Sequence, residues 1–110
     1  RELAYAGRFT DAQLILAKMD QSDDAVQTYW GFTHRKLGNV DKAMAAYYNA
    51  LDTNPNNILA RSYMGQAYVE MGGLEMAKVQ LTEIRARGGR ETWAEKSLSW
   101  AIRNGTTQSY

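Results

Sequence analysis

A 34-residue period constrains the fold of this chain more than any other feature of its sequence. A shift of 34 residues brings similar residues together: Trp30-Gly31 with Met64-Gly65 and Leu98-Ser99, His34 with Tyr68 and Ile102, and Ala43 with Ala77. At an offset of 31, Gly7 coincides with Gly38 and Ala12 with Ala43, so an N-terminal segment follows the same register. Such a period is typical of chains built from stacked units, each of which buries its apolar face against a neighbour.

Each period contains two runs of apolar residues at steps of three and four, the spacing of one face of an α-helix. The two runs of the second unit span residues 26–37 and 40–51, with a break at Gly38-Asn39. Asn39 is a favourable N-cap. Pro55 is expected to open the next helix, because its missing amide donor is not needed there. The pattern therefore predicts an all-α chain of helix pairs.

Two glycines lie inside the predicted first helices, at Gly31 and Gly65. Glycine inside a helix costs about 1 kcal/mol relative to alanine. We therefore expect these glycines to allow close approach of the second helix of the same unit. Ala43 and Ala77 serve the same contact from the other side.

The composition excludes several classes of function. The chain has 110 residues, a formal charge of +1 and no cysteine. A near-zero charge predicts no nucleic-acid partner, and no apolar run approaches the roughly 20 residues that span a bilayer. Without cysteine the chain has neither disulfides nor thiolate metal sites. We predict no cofactor, no metal and no membrane insertion.

The spacing resembles the tetratricopeptide repeat, a 34-residue helix–turn–helix unit with the pattern W-x-x-L-G-x-x-Y, A-x-x-x-F and P. The second unit carries it as Trp30-Gly31-x-x-His34, Ala43-x-x-x-Tyr47 and Pro55. The large ring that opens the pattern is absent, since Gln27 and Arg61 take its place. The resemblance implies a right-handed α-α superhelix of about three repeats. Its predicted parts are a domain over residues 1–105, made of units 1–22 (partial), 23–56 and 57–89 and a capping helix 90–104, and a polar tail over 106–110.

The resemblance also implies a function, because first helices of this family line a concave groove that holds a peptide or a partner helix. The positions of this chain that would face the groove are Thr28, Phe32, Arg35, Lys36, Ser62, Gln66, Val69, Glu70, Trp93, Lys96 and Trp100. Phe32, Gln66 and Trp100 share one place in the period, so a row across successive first helices is expected. Alternatively, Trp93 and Trp100 cover the open end of the solenoid, since terminal repeats need capping.

His34 is the only histidine of the chain and lies beside an aromatic residue, which raises the question of catalysis. It occupies the position where the repeat has tyrosine and where the next unit has Tyr68. No motif links it to a nucleophile or an orienting carboxylate, as catalysis would require. We predict a packing role, no catalytic residue and no enzyme.

Two further expectations concern assembly and location. The first helix of the first unit is incomplete in this sequence, so apolar Leu3, Tyr5, Phe9 and Leu14 are candidates for self-association, which is the alternative function. The chain begins at Arg1 and resembles short bacterial exported repeat proteins of unassigned function. A removed export signal and a periplasmic or otherwise exported location are therefore expected, with the cytoplasm as the alternative.

Overall fold

The computed structural model of the chain describes residues 2–108, with side chains from residue 7 onward, and contains six α-helices in that range. They are α1 (Glu2–Leu16), α2 (Asp24–Lys36), α3 (Val40–Thr53), α4 (Ile58–Glu70), α5 (Leu74–Ala86) and α6 (Trp93–Asn104). This order of one helix, two pairs and a final single helix confirms the predicted all-α fold. Residues 2–108 include no strand.

The helices form two compact units, which we describe separately. Unit 1 extends to Asn54 and contains α1, α2 and α3; unit 2 begins at Pro55 and contains α4, α5 and α6. The repeat boundaries expected from the 34-residue period stay predictions.

The helix ends of unit 1 follow local sequence signals. The Asp23 carboxylate caps α2 by accepting from the Ala25 amide at 2.8 Å. Gly38 turns the chain after α2 with φ of +82°, a left-handed conformation that favours glycine. Asn39 is the N-cap residue of α3, but its side chain makes no capping bond. Its amide nitrogen instead lies 3.5 Å from Nδ1 of His34.

The core of unit 1 forms where α3 packs against α2. Ala43, Tyr47 and Ala50 of α3 have no exposed surface. A Cβ atom at Gly31 would lie 2.6 Å from Cδ1 of Tyr47, so the missing side chain makes room for this ring. The expected close approach between α2 and α3 is confirmed at Gly31.

In unit 2, α4 packs against both α5 and α6. A core cluster of six buried residues joins the three helices: Val69, Ala77, Leu81, Ile84, Leu98 and Ala101. A Cβ atom at Gly65 would lie 2.6 Å from Cδ2 of Leu98, so this glycine makes room for α6. The sequence predicted that Gly65 makes room for α5. This prediction is wrong, because the helix that packs against Gly65 is α6.

The start of α4 also differs from the prediction for Pro55. The N-cap of α4 is Asn57, whose side-chain oxygen accepts from the Ala60 amide at 2.9 Å. Pro55 precedes the helix, and its carbonyl accepts from Nε of Arg61 at 2.9 Å. A side-chain cap at Asn57 satisfies a free amide of the first turn, which proline cannot do.

The start of α6 is held by a cap and an ion pair. The Thr92 hydroxyl accepts from the Glu95 amide at 3.3 Å, and the Glu95 carboxylate accepts from the Glu91 amide at 3.0 Å. The second carboxylate oxygen accepts from Nε of Arg85 at 2.8 Å, which ties α6 to α5. These bonds hold Glu91 in a left-handed conformation, with φ of +67°.

Past α6, the part of the polar tail that is described runs over residues 105–108. The Thr107 hydroxyl donates to the Glu70 carboxylate at 2.7 Å. None of the helices over residues 2–108 is long and apolar enough to cross a membrane.

Candidate functional site

Unit 1 carries an apolar groove between α1 and α2, which we name the α1–α2 groove. Its volume is about 390 Å³, and its lining residues are Arg8, Phe9, Ala12, Ile15, Leu16, Tyr29, Phe32 and Thr33. Ile15 is 64% exposed and Tyr29 is 46% exposed. Large apolar side chains therefore remain open to solvent on both walls.

Phe32 lines this groove and is half-buried. Its ring meets the ring of Phe9 edge-on, with centroids 6.0 Å apart. Nζ of Lys36 lies 5.5 Å from the Phe32 centroid, and the guanidinium carbon of Arg35 lies 6.0 Å from it. Both distances allow cation–π attraction. The arrangement combines an apolar anchor point with positive charge beside it.

Thr28, which was also expected to face the groove from α2, is buried instead. Thr28 is 1% exposed, and its hydroxyl donates to the Asp24 carbonyl at 2.7 Å within the same helix. Arg35 is also buried. The expectation that Thr28 offers a free side chain to a partner is corrected, because the hydroxyl is used inside α2.

The residues expected on α4 are corrected more strongly. Ser62 and Gln66 are fully buried. The Ser62 hydroxyl donates to the Ala94 carbonyl of α6 at 2.7 Å, and Nε2 of Gln66 donates to the Ser62 oxygen at 3.1 Å. Val69 belongs to the core cluster of unit 2. Because α6 covers this side of α4, the three side chains hold the unit together, and the predicted row loses Gln66.

The remaining predicted site residues keep some exposure. Trp93 is 48% exposed and meets the Tyr63 ring edge-on, with centroids 5.8 Å apart. Lys96 is exposed, and its Nζ lies 3.7 Å from the Glu91 carboxylate. Trp100 is half-buried. Glu70 is exposed and accepts a hydrogen bond from the Thr107 hydroxyl. The contact with Tyr63 is what a capping role for Trp93 would produce.

His34 is half-buried on α2 and stacks on Trp30, with centroids 5.7 Å apart and planes inclined by 23°. Nε2 of Gln13 lies 3.2 Å from its Nδ1. Burial, and then the nearby charge of Lys42, lower the pKa of His34. The side-chain amide nitrogens of Gln13 and Asn39 both lie near Nδ1, so a neutral ring that accepts at Nδ1 carries its proton on Nε2.

A second cavity, the α2–α3 pocket, lies on the side of α2 that faces α3. Its volume is about 380 Å³, and its lining residues are Gln21, Gln27, Trp30, His34, Lys42, Ala45, Ala46 and Asn49. Sequence reasoning missed it, because it assigned Trp30 and His34 to packing alone. One signal was present: small Ala45 and Ala46 follow Lys42 by one helical turn, where larger side chains would fill the space. Among residues 7–108, no cluster of acidic and histidine side chains is suited to bind a metal ion.

Helix pairs that recur with a 34-residue period define an α-helical repeat protein. A protein-family model described as TPR repeat matches residues 31–72, and this match supports assignment to the tetratricopeptide-repeat family. Proteins with these repeats generally act as modules of protein–protein interaction and are typically not enzymes. Comparison with curated proteins and with solved structures gave no match.

Proposed function

We propose that this chain is a binding module that holds an apolar segment of a partner protein in the α1–α2 groove. Phe32 carries the proposal, because a half-buried ring with cations beside it is a good anchor for a partner side chain. Aromatic residues and arginine are enriched among the residues that dominate binding energy at interfaces. The groove thus replaces the longer row through Gln66 that the repeat spacing predicted.

The lining residues favour an apolar occupant. Phe9, Ile15, Tyr29 and Phe32 offer rings and a branched chain to a partner side chain. Removing their exposed surface from water is favourable by about 25 cal/mol per Å². A short helix or an extended peptide with two or three apolar side chains suits a groove of this size.

The charges around the groove favour acidic residues beside those apolar anchors. Arg8 lies in the groove wall, and Lys36 lies against the Phe32 ring. Charges at the rim of an interface act mainly on the rate of encounter and on its salt dependence. We therefore infer that the partner segment carries aspartate or glutamate next to its apolar side chains.

The test uses peptides selected by phage display on the folded chain, with affinities measured by calorimetry. We expect Phe32→Ala to weaken the selected peptides by about 2 kcal/mol or more. Tyr48→Ala is the control, because Tyr48 is an exposed aromatic ring on α3 that does not line the groove. Equal losses in both variants, with both still folded by circular dichroism, would exclude the α1–α2 groove.

A second copy of the chain is the alternative occupant. Leu14 is 63% exposed and Ile15 64% exposed near the end of α1. Exposed apolar patches of more than a few hundred Å² mark contact surfaces. The side chains of Leu3 and Tyr5, which the sequence also suggested for this contact, lie outside the described residues. The exported location stays a prediction that rests on resemblance alone.

A further inference from the structure

We propose that the α2–α3 pocket binds a small aromatic carboxylic acid, with its carboxylate between Lys42 and His34 and its ring beside Trp30. This proposal is independent of the partner groove, because the lining residues of the two sites do not overlap. The volume of about 380 Å³ lies within the range of small-molecule sites.

The aromatic wall of the pocket is held in place before any ligand binds. Nε1 of Trp30 donates to Oε1 of Gln21 at 2.8 Å, and Nε2 of Gln21 donates to the carbonyls of Leu16 and Met19 at 2.7 Å each. His34 covers the Trp30 ring on one side by stacking. The wall needs little reorganisation, and preorganisation of this kind lowers the cost of binding.

The charge of the pocket selects an anion. Lys42 is the charged residue among the eight that line the cavity, and the described part of the chain shows no ion pair for it. Nε2 of His34 is the ring nitrogen that is not in contact with Gln13, and it is the N–H donor when Nδ1 accepts from Gln13. One ammonium group and one neutral N–H donor near each other suit the two oxygens of a carboxylate.

The order of residues along the two helices sets the length of the ligand. His34 lies near Lys42 at one end, while the Thr53 hydroxyl donates to Oε1 of Gln27 at 3.2 Å near the other end. The helices are therefore antiparallel, and Asn49 lies two turns from Lys42, about 10 Å along α3. A ring over Ala45 and Ala46 fits between, and the Asn49 amide can bind a polar group at the far end of the ring.

The probe that fits this description is 4-hydroxyphenylacetate, and its neutral amide is the matched comparison. Binding is followed by NMR through the indole N–H signals, where Trp93 and Trp100 of unit 2 are internal references for Trp30. We expect the acid to shift the Trp30 signal in a saturable way and to leave the other two in place. The amide should bind about 10-fold more weakly, the usual effect of losing a hydrogen bond to a charged group.

Two variants and one control decide the assignment. Lys42→Gln should weaken the acid about 10-fold, and Ala45→Leu should abolish binding by filling the cavity. Lys18→Gln removes an exposed charge outside the pocket and should change nothing. The proposal is overturned if the acid gives no saturable shift up to solubility, if the amide binds equally well, or if Lys42→Gln matches Lys18→Gln in affinity. Each variant is first checked for an unchanged melting temperature, and Lys42→Gln alone suffices if Ala45→Leu unfolds.

Discussion

At the scale of single residues, His34 shows how one side chain combines packing with a polar contact. Its ring stacks on Trp30, as the tyrosine of the repeat pattern would, and Nδ1 lies 3.2 Å from the Gln13 amide of α1. His34 thus packs as predicted and, in addition, its contact with Gln13 connects α2 to α1. That link depends on the neutral state of the ring.

We expect His34→Tyr to change the free energy of unfolding by less than about 2 kcal/mol, which is below the large end of ordinary single mutations. Because the pKa of His34 is lowered in the folded state, the folded chain favours the neutral ring. The resulting stability is present above the unfolded pKa of about 6.5 and is lost as pH falls through the lower folded value. Denaturant unfolding at pH 8, 6 and 5 should show a smaller loss on acidification for His34→Tyr than for the native chain.

Gly31 is the second residue whose role is set by a close contact. We expect Gly31→Leu to destabilise the chain by about 1–3 kcal/mol, the usual range for overpacking, because the new side chain would overlap the buried Tyr47 ring. Gly7 in α1 is the control, since a Cβ atom there meets nothing within 4 Å. Gly7→Leu should be neutral or stabilising, as leucine is the better helix former. A rise in melting temperature for Gly31→Leu would contradict the packing account.

At the scale of helices, the junction of α5 and α6 depends on Glu95. The backbone amide of Glu91 and then the Arg85 side chain stabilise the carboxylate and lower its pKa. Glu95→Gln should therefore lower the melting temperature at pH 7. Because this stability is present above the unfolded glutamate pKa of about 4.3 and is lost as pH falls, the difference from the native chain should shrink below about pH 4.

The control for that measurement is Glu75→Gln. Glu75 pairs with Lys78 at 3.2 Å on an exposed surface of α5, where ion pairs contribute little. The melting temperature of Glu75→Gln should equal that of the native chain both at pH 7 and below about pH 4. A Glu95→Gln variant that also behaves like the native chain would show that the cap and the ion pair are dispensable for α6.

At the scale of the whole molecule, the exposed apolar end of α1 leads us to expect that the chain self-associates. We expect the weight-average mass from sedimentation to rise between micromolar and millimolar concentration, because Leu14 and Ile15 are exposed near one end of α1. Ile15→Glu should suppress the rise. Val79→Glu, at an exposed apolar position of α5, should leave it unchanged. A constant monomer mass over the whole range would rule out this contact.

The order of the helices over residues 2–108 and the place of Gly31 opposite α3 could be predicted from the sequence alone. These features depend on the helical period of 3.6 residues and on turn residues such as Gly38, which act within one or two helices. The match of residues 31–72 to the TPR-repeat family depends on the same local pattern. The capping bond at Asn57 depended on the detailed geometry of the loop, so the prediction at Pro55 was wrong.

Only the tertiary structure decided which side chains are available to a ligand. Gln66 occupies the same place in the period as Phe32, yet Gln66 is fully buried because α6 covers this side of α4, whereas Phe32 is only half-buried. The sequence of α4 already indicated this burial, because its own apolar residues are distributed around the whole helix, a pattern typical of buried helices. The α1–α2 groove and the α2–α3 pocket likewise depend on how neighbouring helices meet. The helical period of a sequence shows which residues share a face, but only the packing of the helices determines what covers that face.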